Sequence, residues 1–256
     1  MKKLSLVLII SSLFISCVNY NDSVSFVDFD KYERKDFDFP ELSVYSVHDT
    51  SSIKSLMIFR EDKIIRKEYF KNGLLINVDD IGDAVAQTRY TYFNNGFVKQ
   101  KSSDVNGEIQ YKYIDGTQRI STCQNSIVVE KINRVSRNSY QLSIKRQDKD
   151  INYSITKKNG LLREYIGNQK YIFSYKNRLV DNVKVFSLQG KLLSEYSVIT
   201  RNSKIEKVIH YFYKDGIISN TVVTTYKKYD QYGNWLEKVS ETNGTIVKCT
   251  RVFEYY

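Results

Sequence analysis

From Leu42 to the C-terminus the chain reads as short stretches of β-branched and aromatic residues interleaved with polar ones and cut at intervals by turn formers. The segment KVIHYFY around His210 shows the alternation. A period of two belongs to strands, because successive side chains on a strand point to opposite faces. A 3.6-residue period is missing, except over Val78–Gln87, which reads as a short turn of helix. The breaks are Asn72-Gly73, Asn95-Gly96, Asn106-Gly107, Asp115-Gly116, Asn159-Gly160, Gln189-Gly190, Asp215-Gly216, Gly233-Asn234 and Asn243-Gly244. Asn, Asp and Gly tolerate the positive φ that tight hairpins require. The pattern therefore predicts an all-β fold over residues 42–256: antiparallel β-hairpin repeats forming an extended, twisted or partly wrapped sheet.

The last hairpin shows how far such a pattern carries. A three-residue loop at Thr242-Asn243-Gly244 sets Glu241 opposite Thr245, Val239 opposite Val247 and Trp235 opposite Arg251. Trp235, Val239, Val247, Cys249, Phe253 and Tyr255 then share one packing face, and Lys238, Ser240, Lys248, Thr250 and Glu254 share the other. A two-residue loop pairs Val239 with Lys248 and scatters the apolar set, since a one-residue slip moves a strand against its partner. The burial pattern thus selects the longer loop.

The first 16 residues are of another kind. Lys2 and Lys3 precede an apolar run, Leu4 to Ile15, and then Ser16. This is a secretory signal peptide, shorter than the roughly 20 residues a membrane-spanning helix needs. Phe14-Ile15-Ser16-Cys17 resembles the lipobox of bacterial lipoproteins, with Phe14 where that family usually has leucine. The resemblance implies cleavage before Cys17, a diacylglyceryl group on its sulfur and a third, amide-linked acyl chain such as palmitate. Three chains hold firmly where one holds marginally. Val18 stands where an aspartate would signal inner-membrane retention, so the resemblance implies an outer-membrane, lipid-anchored protein of the cell envelope. Residues 17–41 form the lipidated N-terminus and an acidic tether: Tyr20 to Glu41 holds seven acidic residues, three basic ones and the only proline, Pro40.

Charge and composition narrow the partners only slightly. The formal charge of +10 drops to +8 when Lys2 and Lys3 leave with the signal, and surface lysines that block sheet edges account for it. Nucleic acid is not the expected partner. With 21 tyrosines in 256 residues, much of the apolar count is rings whose hydroxyls can stay wet. Cys123 and Cys249 remain once Cys17 is acylated; in an oxidising envelope they form one disulfide or serve as two small buried hydrophobes, and sequence does not choose.

Catalytic motifs are missing. The two histidines, His48 and His210, lack metal-ligand spacing, and no nucleophile elbow, phosphate loop or dinucleotide fingerprint is present. Asp79-Asp80 beside Gly82 reads as a solvated loop. No cofactor is expected.

YDQYGNW followed by TRVFEYY resembles the signature of YD (Rhs-like) repeat proteins, with echoes in YTYFNNGFVKQ, YKYIDG and YFYKDG. The resemblance implies a sheet of hairpins used as scaffold or binding surface. The expected function is a non-enzymatic, lipid-anchored envelope protein that binds a protein or polysaccharide partner. The alternative is an envelope lipid carrier or lipoprotein assembly factor whose half-barrel holds an apolar pocket. Oligomeric state is not legible.

Overall fold

The computed structural model describes residues 52–256 except 82–84, 106, 124–125 and 146–149. The signal peptide, Cys17, the acidic tether and His48 lie outside the described residues.

Eighteen strands follow one another. The first nine are β1 (Ile53–Arg60), β2 (Lys63–Lys71), β3 (Leu74–Ile81), β4 (Val85–Tyr92), β5 (Val98–Ser103), β6 (Gly107–Asp115), β7 (Gln118–Cys123), β8 (Ser126–Ser136) and β9 (Ser139–Lys145). The second nine are β10 (Asp150–Lys158), β11 (Leu161–Ile166), β12 (Lys170–Lys176), β13 (Leu179–Phe186), β14 (Leu192–Arg201), β15 (Lys204–Lys214), β16 (Ile217–Tyr229), β17 (Trp235–Thr242) and β18 (Thr245–Tyr255). Each pairs antiparallel with its sequence neighbours, and β18 pairs with β1 from Ile53↔Tyr255 to Arg60↔Cys249. The sheet is a closed up-and-down barrel. Closure goes beyond the expected partly wrapped sheet, and it leaves no strand edge unpaired.

Two kinds of turn recur around the ring. In seven hairpins both loop residues have positive φ, from Glu61-Asp62 to Asn243-Gly244. This is the two-residue loop whose twist matches that of the flanking strands. The second kind spans five residues, Phe93 to Phe97, Ser187 to Lys191 and Asp230 to Asn234. In each, the first N–H donates to the fifth carbonyl and the fourth residue, a glycine, donates to the first carbonyl. Gly96, Gly190 and Gly233 have φ of 81°, 87° and 87°, where a side chain would strain the backbone.

Three sequence expectations are corrected here. The described residues of Val78–Gln87 are not helical: 78–81 belong to β3 and 85–87 to β4, which pair with each other from Asn77↔Arg89 to Ile81↔Val85. Asp79-Asp80 is accordingly in a strand, not a loop. The last hairpin has the two-residue loop, with Thr242↔Thr245, Val239↔Lys248 and Lys238↔Cys249. Val239 therefore leaves the packing face. Trp235 still reaches it because the register against β16 shifts from Lys228↔Glu237 to Tyr229↔Trp235, making Leu236 an extra residue in β17. A bulge of this kind turns a side chain to the other face without moving the loop.

The register fixes which face is inside. One rung runs Tyr140, Ile155, Tyr165, Tyr171, Val185, Ser194, Phe212 across β9 to β15. The next runs Phe173, Val183, Tyr196, His210, Val222. Ile155 and Val183 are 0% exposed. One rung on the opposite face is largely polar: Glu108, Ser102, Arg89, Asn77, Tyr69, Ser55 and Glu254 follow one another across seven strands; others on that face carry apolar pairs, Met57↔Val252 and Ile209↔Val223. The inner face is largely apolar and aromatic, with the buried charged residues Glu68, Arg119, Glu130 and Arg251 among them, and the outer face mixes polar residues with exposed Ile127, Ile246 and Val252.

Candidate functional site

The inner wall gathers most of the unusual chemistry. Two buried clusters line it. The smaller is Ile53, Leu56, Ile58 and Phe70, against which Phe253 and Tyr255 pack. The larger runs from Ile132 in β8 to Trp235 in β17, with Tyr113, Tyr153, Tyr171, Tyr175, Tyr196 and Cys249 against it. Of the predicted packing face, Trp235, Val247, Cys249, Phe253 and Tyr255 do face inward. Cys123 and Cys249 are not joined in a disulfide. They sit on β7 and β18, seven strands apart around the ring.

Sequence reasoning did not single out the ionised groups of this wall. Arg119 and Glu130 form a two-pronged ion pair, Nε to Oε2 at 2.6 Å and Nη2 to Oε1 at 3.0 Å, with the residues 3% and 4% exposed. Arg66 reaches Glu68 at 2.7 Å and Asp80 at 3.2 Å. The parity of the strands holds a signal for such residues: in SIVVEKI, Glu130 falls between Val128 and Ile132 at the apolar positions.

His210 stacks on Tyr196 at 3.7 Å between centroids and on Phe212 at 3.9 Å. Its Nε2 is buried with no hydrogen-bond partner, and burial pushes its pKa down to about 4. The imidazole is thus neutral near pH 7 and is a wall residue. Asp79 accepts from Asn77 and Gln87, both at 2.8 Å, in a network within the sheet. Among the described residues no group of three His, Cys, Asp or Glu is placed to hold a metal ion. An open cleft of about 550 Å³ lies at the rim between the turns at 177–178 and 202–203, lined by Lys176, Asn177, Asp181, Thr200 and Asn202.

The YD-like turn has a structural job. The Asp230 carboxylate accepts from the Tyr232 N–H at 2.9 Å, the Asn234 N–H at 2.8 Å, Asn234 Nδ2 at 3.0 Å and the Tyr255 hydroxyl. It ties the β16–β17 turn to the final strand. Burial raises the Asp230 pKa, but those bonds outweigh it and hold the carboxyl below its usual value; burial and then the Asp230 bond push Tyr255 up to about 12. A carboxyl depressed in the folded state stabilises above its unfolded pKa, and that contribution is lost as pH falls through the folded value. Asp230→Ala is expected to cost about 1–3 kcal/mol by stranding buried donors. Urea unfolding of the variant should also show less stability loss between pH 5 and pH 3 than the parent.

No protein-family model matches the chain, and a search of the curated proteins finds no match. Among solved structures, a porin-like protein from Bacteroides uniformis aligns over 79% of this chain and 98% of its own, at 8% identity and a TM-score of 0.31. A likeness that slight carries no argument about this chain. The wall itself is more informative. Barrels that cross a bilayer turn an apolar band outward and polar residues inward, whereas the most deeply buried apolar and aromatic side chains here are on the inner face and the outer rung from Glu108 to Glu254 is polar.

Proposed function

We propose that this protein is a water-facing β-barrel moored to the cell envelope by a lipid on Cys17, acting without catalysis as a binding body for a partner. The observation that carries the reading is a buried aromatic inner wall backed by a polar outer rung. The polar rung from Glu108 to Glu254 belongs in water, so attachment to a membrane falls to a separate element, and the lipobox-like Phe14–Cys17 supplies one. The outer-membrane destination rests on Val18. A body with Tyr140, Tyr165, Tyr171 and Tyr196 turned inward on the rungs described above commits much of that aromatic surface to the lumen. Binding to a polysaccharide or protein therefore falls to the polar outer wall and the rims, where Phe93, Tyr232 and Tyr256 are exposed.

The test is Cys17→Ser. The parent is expected in the membrane pellet and labelled by radioactive palmitate; the variant is expected in the soluble fraction, unlabelled, with an unchanged β-rich circular dichroism spectrum. A variant that stays in the pellet and needs detergent to dissolve would show that the barrel wall itself meets lipid, and the proposal fails.

A further inference from the structure

We infer that Asp36-Phe37-Asp38-Phe39, in the acidic segment before the barrel, docks as a short added strand into the rim cleft between β13 and β14. The inference goes beyond the moored-barrel reading and does not depend on Cys17.

Closure gives every strand two neighbours, though not over its whole length. The β13–β14 ladder stops at Asn182↔Ser197, while β13 begins at Leu179 and β14 runs on to Arg201. Residues 179–181 and 198–201 therefore have no ladder between them, and the cleft of about 550 Å³ is the gap where the two hairpins part. Its volume falls within the roughly 300–1,000 Å³ typical of ligand-holding clefts. An extended chain can add itself to such a strand edge through main-chain hydrogen bonds. The two sides of the gap differ. Val180 and Val198 are buried in the inner-wall cluster, whereas Lys176 and Arg201 are exposed.

Charge selects the occupant. In an up-and-down barrel the turns after even-numbered strands share one end, and Ser52 is there too, its carbonyl accepting from the Tyr256 N–H at 3.0 Å. Four successive turns at that end, from β8–β9 to β14–β15, expose Arg134, Arg137, Lys158, Lys176, Arg201 and Lys204. The exposed carboxylates beside them are Asp181, in the cleft, and Glu206. The opposite end mixes its signs: Glu61 and Asp62 lie between Arg60 and Lys63, and Lys191 meets Asp215 at 2.9 Å. Residues 20–41 hold seven acidic groups against three basic ones, so the basic arc attracts them. Within that segment Asp36-Phe37-Asp38-Phe39 alternates with a period of two. In an extended chain both rings go to one face and both carboxylates to the other, which matches Val180 and Val198 within and Lys176 and Arg201 without. Pro40 favours the extended form at Phe39. The reach is sufficient. Thirteen residues lead from Phe39 to Ser52, a span of up to about 43 Å. Five strand spacings separate β1 from β14, about 24 Å of wall. A link of that length keeps the segment at roughly millimolar effective concentration, so a weak contact suffices.

The test uses the full chain carrying Cys17→Ser and Phe39→p-benzoylphenylalanine, irradiated at low protein concentration in about 20 mM and about 500 mM sodium chloride. At low salt an intramolecular cross-link to residues 176–181 or 198–203 is expected, located by mass spectrometry. Its yield should fall at least about fivefold at high salt, as screening removes the attraction. Asp36→Lys with Asp38→Lys should lower it as far, and adding Lys176→Glu with Arg201→Glu should restore it. A cross-link that maps elsewhere, one that joins two copies, or a yield unmoved by salt and by the reversed acids overturns the inference. The salt series and the substitutions at 36 and 38 leave the barrel sequence intact, so a misfolded variant does not shelter it.

Discussion

Glu130→Ala is expected to cost about 3–5 kcal/mol of folding free energy, measured by urea unfolding of the soluble Cys17→Ser chain. The carboxylate meets Arg119 at 2.6 and 3.0 Å within the wall, and the Arg119 guanidinium also lies 5.1 Å over the Tyr111 ring. Removing the acid strands a cation that water cannot reach. The loss therefore reflects an uncompensated buried charge and exceeds the worth of the pair. Replacing both partners by leucine should recover most of the stability, because desolvating two ions roughly cancels their attraction. Lys191–Asp215 supplies the comparison: its 2.9 Å contact joins side chains 54% and 76% exposed. Asp215→Asn keeps a residue tolerant of the positive φ there and should cost under about 1 kcal/mol. Equal losses at the two sites would mean that the Arg119 pair is wet.

The second large effect tests which way the wall faces. Val183→Asp puts a carboxylate among Phe173 and Tyr196 at a position 0% exposed. A charge in such a place is expensive unless it is paired or neutralised, and a loss above about 4 kcal/mol is expected, enough to leave the chain largely unfolded. Ser174→Asp, exposed on the adjoining strand β12, should stay within about 0.5 kcal/mol. A barrel with a watery lumen and a greasy exterior demands the reverse order. Circular dichroism and urea midpoints of the two variants, side by side, decide between them.

The hairpins were legible and the closure was not, for a physical reason. A turn is specified by two to five adjacent residues, and Asn-Gly or Asp-Gly states the requirement for positive φ openly. Turns lacking glycine, such as Asn177-Arg178 and Asn202-Ser203, carry the same left-handed φ of 51° to 65°, and a search keyed on glycine passes them by. Closure depends on β1 meeting β18, residues about 200 apart with no local mark of their pairing. The bulge at Leu236 was equally silent. A straight strand ties Trp235 to Val239, and only the extra residue lets one turn in while the other turns out. Cys17, which carries the anchoring proposal, was read from its flanking residues alone.

The seam between β1 and β18 also bears on how the chain reaches this state. The first strand waits with one side unsatisfied until the last has emerged, and every intermediate is an open ribbon with two bare margins. Contacts so remote in sequence slow folding, and bare margins invite pairing between molecules. Deleting Lys248–Tyr256 would make that transient permanent, so the truncated chain should form aggregates seeded through β1 even though its other hairpins keep their local code.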